Sequence, residues 1–324
     1  EGAESPRFSL SLDMDRFNLV DLQGKSGSKI RPIPPDGIMA KTTGDVTLRA
    51  REVSFSRVTG TNLRIKGSVG NRKVTISHLG MNAFGGYADI RGNIDLSGPP
   101  PVINVGGKIS QMTGGVFLKA MGAETSAING EGAIVANLSA QGESSADLVS
   151  TLHGQLSVYT QNGVIRKWNL LSKLFGLLNF YDLFKGKVPL TESGLSYTKM
   201  GAMFQVADGV FTTNNFVLDS PSMLITGTGD INASGREIRG TVTVSPLVTI
   251  DRTIDKIPII RNILKERGKG FLYGSYNVKG PIDDPDIALN FVNTIGGRTV
   301  DILRNILVLP VGIFEHRKPT DDDG

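Results

Sequence analysis

Between Ser196 and Ser245 the hydrophobic residues recur at every second position through successive segments, without passing into helical spacing. Val210, Thr212, Asn214, Phe216 and Leu218 are read as one face of a strand, and Met223, Ile225, Gly227, Gly229 and Ile231 as one face of the next. Ile238, Gly240, Val242 and Val244 make a third. Turn formers separate them: Asp219-Ser220-Pro221-Ser222, then Asn232-Ala233-Ser234-Gly235. The expectation is a meander of antiparallel strands with one apolar and one polar face.

The same alternation runs through most of the chain. Phe8, Leu10 and Leu12 open it, and a Gly/Ser/Lys/Pro-rich loop is expected from Gly24 to Gly37. Val46, Leu48 and Ala50 alternate, then Val53 and Phe55 continue on the other parity, the mark of a β-bulge. Short strands are predicted at Leu63–Ile65 and Val74–Ile76, and longer ones through Ala88–Leu96 and Ile128–Ala140, the last carrying Ile134 and Leu138. Helical spacing enters briefly at Thr113–Met121 and Ser145–Leu152, the second capped by Ser144 or Ser145. It returns at Trp168–Phe180, in two pieces over Pro246–Arg267, and over Phe291–Leu309, where Phe291, Ile295, Ile302, Leu303, Ile306 and Leu309 form an apolar stripe. Residues 1–315 read as one elongated β module and 316–324 as a disordered tail.

Composition narrows the function classes. The chain has 324 residues and a formal charge of +4, with 35 basic and 31 acidic residues interspersed, so no basic stripe marks a nucleic-acid partner. Absence of cysteine excludes thiolate catalysis and disulfides. His78, His153 and His316 lack a second ligand at metal spacing, and Asp283, Asp284 and Asp286 lack the glycine and bidentate glutamate of a calcium loop. No Gly-x-Ser-x-Gly elbow occurs, and Gly130-Glu131-Gly132 and Gly227-Thr228-Gly229 lie within strands rather than ahead of helices. No enzyme, cofactor or metal is expected. No run of about 20 apolar residues is present. The start at Glu1 is read as that of a piece of a longer protein whose anchor is missing.

Several pieces, in order, resemble the AsmA family of bacterial envelope proteins, and within it the C-terminal part of the long YhdP-type members. Leu10-Ser11-Leu12-Asp13-Met14-Asp15-Arg16-Phe17 is similar to the family's opening strand, and Phe84-Gly85-Gly86 to its aromatic-Gly-Gly signature. Gly154-Gln155-Leu156, Asn162-Gly163-Val164-Ile165, Gly209-Val210-Phe211, Ile225-Thr226-Gly227-Thr228-Gly229, Pro258-Ile259-Ile260 and Val278-Lys279-Gly280-Pro281 follow in the family's order. The resemblance implies a curved, largely antiparallel sheet forming an open hydrophobic groove, with amphipathic helices at its ends. It also implies a periplasmic bridge-like carrier moving phospholipid between inner and outer membranes of a Gram-negative cell, inner-membrane anchored through an N-terminal helix. The groove would be lined by Ile134, Leu138, Val210, Phe216, Leu218, Met223, Ile225, Ile231, Ile238, Val242 and Val244, with the stripe from Phe291 to Leu309 facing a membrane. From the residues alone a rival stays open. A second sheet could cover the apolar face, giving a solenoid or sandwich that scaffolds envelope proteins.

Overall fold

The computed structural model describes residues 6–18, 29–55, 57–120, 128–166, 194–221, 223–246 and 274–290. The helical stretches expected at Trp168–Phe180, over most of Pro246–Arg267 and at Phe291–Leu309 lie outside the described residues, as does His316.

Among these residues fourteen strands form one sheet in which strand order equals chain order. They are β1 (Arg7–Asn18), β2 (Thr43–Phe55), β3 (Val58–Gly70), β4 (Lys73–Ala83), β5 (Gly86–Asp95), β6 (Val102–Thr113) and β7 (Glu131–Gln141). The series continues with β8 (His153–Ile165), β9 (Leu195–Ala207), β10 (Val210–Ser220), β11 (Met223–Asn232), β12 (Glu237–Pro246), β13 (Gly274–Pro281) and β14 (Asp286–Leu289). Every neighbouring pair is antiparallel except β1 with β2, which run parallel. Among the described residues the sheet is open, with β1 and β14 as its edges. Among the described residues three short helices decorate it: α1 (Ile38–Lys41), α2 (Gly114–Ala120) and α3 (Ser145–Ser150).

Local chemistry explains the turns. Asn71-Arg72 between β3 and β4, Phe84-Gly85 between β4 and β5, and Asp208-Gly209 between β9 and β10 all hold positive φ at both positions. This is the backbone of a two-residue hairpin turn whose twist matches that of the strands. Exposed ion pairs Asp13–Arg49 (3.7 Å), Asp15–Arg51 (3.0 Å) and Arg16–Glu52 (2.9 Å) line the parallel β1–β2 seam. Each is too solvated to stabilise the seam much, yet together they disfavour a slipped register.

Ser144 caps α3 in a reciprocal box: its hydroxyl accepts from the Asp147 backbone N–H (3.2 Å), and the Asp147 carboxylate accepts from the Ser144 N–H (3.0 Å). The hydrogen bond to the Ser144 side chain, then that from its backbone, holds the Asp147 carboxyl below its ordinary value of 3.8. A depressed folded-state pKa gives stability that is present above the unfolded value and lost as pH falls through the folded one. Wild type and Asp147→Ala should therefore differ in melting temperature at neutral pH and converge in acid below the carboxylate range. A gap that persists unchanged in acid would remove the carboxylate from the account.

The connections are distributed unevenly. At one end of the sheet the turns at 71–72, 208–209 and 233–236 are short, and residues 29–37 run along this rim, with Ile30 N–H donating to Glu143 O and Ile33 N–H to Leu96 O (both 2.9 Å). At the other end the chain leaves β8 at Ile165 and re-enters at Leu195, and leaves β12 at Pro246 to re-enter at Gly274. Every connection longer than β7–β8 therefore departs from one end, apart from the β1–β2 crossover.

Candidate functional site

Cross-strand register sorts the side chains into two unlike faces. Leu10, Val46, Gly67, Ile76, Gly92, Val105, Leu138, Gly154, Val206, Phe211, Ile231, Ile238 and Gly280 are successive partners from β1 to β13. No polar side chain interrupts that line. A second apolar line runs beside it through Leu12, Leu48, Ile65, Leu79, Ile90, Gly107, Ala136, Leu156 and Phe204. One residue away on the opposite face, Ser9, Asp45, Ser68, Thr75, Asn93, Asn104, Ser139 and His153 are partners in turn. At about 4.8 Å between strands, the first apolar line extends for about 60 Å.

Exposure divides the apolar face into two regions. On β1 and β6 it meets solvent: Phe8 is 40% exposed, Leu10 42% and Val105 41%. Toward the end from which the long connections depart it is closed. There Leu218, Met223, Ile225, Val244, Tyr276 and Val278 pack with Ile165, Leu195 and Tyr197, and Leu218, Met223 and Val244 are fully buried. A smaller buried cluster, Leu48, Ala50, Val53 and Leu63, supports the face near β1, with Met14 and Phe17 against it.

Tyr197 secures the closed corner. Its hydroxyl donates to the Asn129 carbonyl, and a Cβ built at Gly163 or Gly130 would collide with that hydroxyl. The ring thus occupies the space two glycines leave open, a pairing that restores packing to glycine-rich strands. Burial pushes the Tyr197 and Tyr276 phenols up from their usual value, so both stay neutral. We expect Gly163→Ala to lower the melting temperature by several degrees, because the new methyl meets the phenol and the Asn129 carbonyl rather than open space. A Gly163→Ala, Tyr197→Phe double variant that loses no more than the single one would confirm the shared site in a thermal melt.

The expected lining residues do not all share one environment. Ile134, Leu138, Phe216, Leu218, Met223, Ile225, Ile231, Ile238, Val242 and Val244 lie on the apolar face. Val210 does not: it pairs with Asn232 and Ala207 on the polar side. A bulge between Thr213 and Phe216 adds one residue to β10 and shifts parity, so Phe211, not Val210, shares the face of Phe216. Gly229 and Gly240 are partners, and a Cβ on either would meet the backbone of the opposite strand. Phe8, Leu10, Leu12 and Val105, exposed positions on the apolar face, were outside the lining set; continuous register across β1 to β6 is the signal that finds them. On the polar side, His78 Nδ1 lies 3.4 Å from Asp89 and His153 Nε2 3.3 Å from Asp208. Among the described residues no helix is long and apolar enough to cross a membrane.

The model of the YhdP protein family matches residues 5–287, from before β1 into β14. This chain belongs to the YhdP family. The AsmA-like resemblance carried by Phe84-Gly85-Gly86 and the motifs after it therefore stands, and the YhdP-family match takes in both the open and the closed regions of the apolar face. No curated protein and no solved structure matches the chain.

Proposed function

We propose that this YhdP-family chain is a periplasmic lipid-transfer module, conducting phospholipids between the two membranes of the envelope with their acyl chains laid along the apolar face. It acts as a carrier and not as an enzyme, without cofactor or metal. The observation that carries this reading is the uninterrupted apolar line from Leu10 to Gly280, solvent-exposed at Leu10 and Val105. Burial of acyl chain contributes about 0.8 kcal/mol per CH2, so a sixteen-carbon tail recovers on the order of 12 kcal/mol on leaving water. An apolar face of this length is costly in water and stable once such tails cover it. The partners in this reading are phospholipid and, through the stripe at Phe291–Leu309, a membrane surface, with envelope proteins as further contacts.

A photo-crosslinking residue at Val105 should capture phospholipid from cells, and one at Asn104, adjacent in sequence but on the opposite face, should not. Equal capture at both positions would mean that lipid only coats the surface. Mass spectrometry of an organic extract of the purified protein gives the independent check. A folded protein that yields no lipid by either route would favour a scaffold for envelope proteins.

A further inference from the structure

On the polar face, between β4 and β8, two rows of side chains enclose a slot of about 610 Å³. Thr75, Asn93, Asn104, Ser139 and His153 form one wall. Arg91 and Asn137 stand on the other, on either side of Gly106. The floor includes the backbone of Ile76, Val105 and Leu138, whose side chains lie on the apolar face. Four strand-to-strand steps of about 4.8 Å make the slot about 19 Å long, and alternate residues set its walls about 7 Å apart. One extended chain fits that width; a helix, about 10–12 Å across, does not.

The lining is amide and hydroxyl with one open cation. Asn104 Nδ2 donates to Asn93 Oδ1 (3.1 Å), which fixes both amides and leaves donors on Asn93 and the carbonyl of Asn104 for a ligand. The Asn137 amide reaches over Gly106, where a Cβ would meet its oxygen. The two acids of β5 are engaged elsewhere, Asp89 with His78 (3.4 Å) and Asp95 with Lys73 (2.9 Å). Arg91 therefore has no ion pair among the described residues, and its exposed guanidinium is open to an anion.

Amides that both donate and accept suit a chain dense in hydroxyls, and the guanidinium fork suits a carboxylate. Other occupants match less of the lining. Acyl tails gain nothing from a wall of amides. A peptide strand lying across β4–β8 finds every interior ladder already paired. A nucleic acid carries a phosphate at every nucleotide against one open cation.

We infer that this slot binds an acidic oligosaccharide, with Arg91 on a sugar carboxylate, Asn93 and Asn137 on ring hydroxyls, and Asn104 holding the Asn93 amide in place. The slot lies on the reverse of the apolar line, so sugar and lipid occupy opposite faces of one ribbon and neither reading requires the other.

Isothermal titration of the full chain with tetragalacturonic acid tests this, with chitotetraose as the neutral sugar and hexaglutamate as the acidic peptide. The acidic tetrasaccharide should bind at least about tenfold more tightly than either, and added salt should weaken it. Arg91→Gln should lower its affinity by about tenfold or more, the scale of a lost charge-assisted hydrogen bond. Arg91→Lys, which keeps the charge but not the fork, should cost less. Asn137→Ala should weaken binding a few-fold and leave the salt dependence in place. Arg91 and Asn137 are exposed, so these variants should melt with the wild type. Absence of binding, an affinity no better than that for chitotetraose or hexaglutamate, or an affinity that Arg91→Gln leaves unchanged overturns the assignment.

Discussion

Leu218→Ala is expected to lower the unfolding free energy by about 2–5 kcal/mol, the range for a buried leucine truncated in a packed core. Leu218 is fully enclosed, with Met223, Ile225 and Val244 around it, so the void left behind has no solvent to fill it and little freedom to collapse. Val105→Ala, on the same face several strands away, should cost less than about 1 kcal/mol, because a residue 41% exposed already has water as a neighbour. Denaturant titration of the two variants separates the regions of the face. Equal losses would mean that the region around Val105 is packed as tightly as the corner around Leu218.

The second large effect is the converse, a loss of lipid with little loss of fold. Val105→Asp places a carboxylate in the middle of the apolar line, between Gly92 and Leu138. Covering that charge with an acyl chain removes its hydration without supplying a partner, at a cost of several kcal/mol. Lipid recovered with the purified protein should fall by more than about tenfold, since 1.4 kcal/mol already corresponds to one factor of ten. The solvent available at Val105 lets the carboxylate stay hydrated in the lipid-free protein, so the melting temperature should change little. Asn104→Asp, on the polar face, is the matched control and should leave lipid recovery intact. If both variants copurify lipid at the wild-type level, the apolar face is not where lipid rides.

Much of this architecture was legible in the alternation of side chains. The polar and apolar faces of β11 and β12, the cap of α3 at Ser144 and the parity change between Ala50 and Val53 follow from residue identity and spacing. What escaped were the places where the backbone breaks its own period. Asn62 and Gln111 take positive φ inside strands, both at 55°, and no local motif distinguishes them from asparagines and glutamines in ordinary pleats. The bulge at Thr213–Phe216 is equally unmarked, and regular alternation through it put Val210 on the face of Phe216. The parallel β1–β2 pairing was equally hidden, since it depends on a crossover rather than on the composition of either strand. The candidate track was legible as a pattern but not as an accessible surface. Alternation states which side chains share a face; whether Leu218 is enclosed while Leu10 is open depends on distant parts of the chain.

A ribbon in which each strand hydrogen-bonds only to its predecessor and successor has no fixed length. Adding or deleting one hairpin changes the reach by about 10 Å without rethreading anything, in the manner of repeat proteins whose stability is a sum of nearest-neighbour terms. Duplicating hairpins can therefore lengthen such a molecule while the specialised corner at one extremity is inherited unchanged.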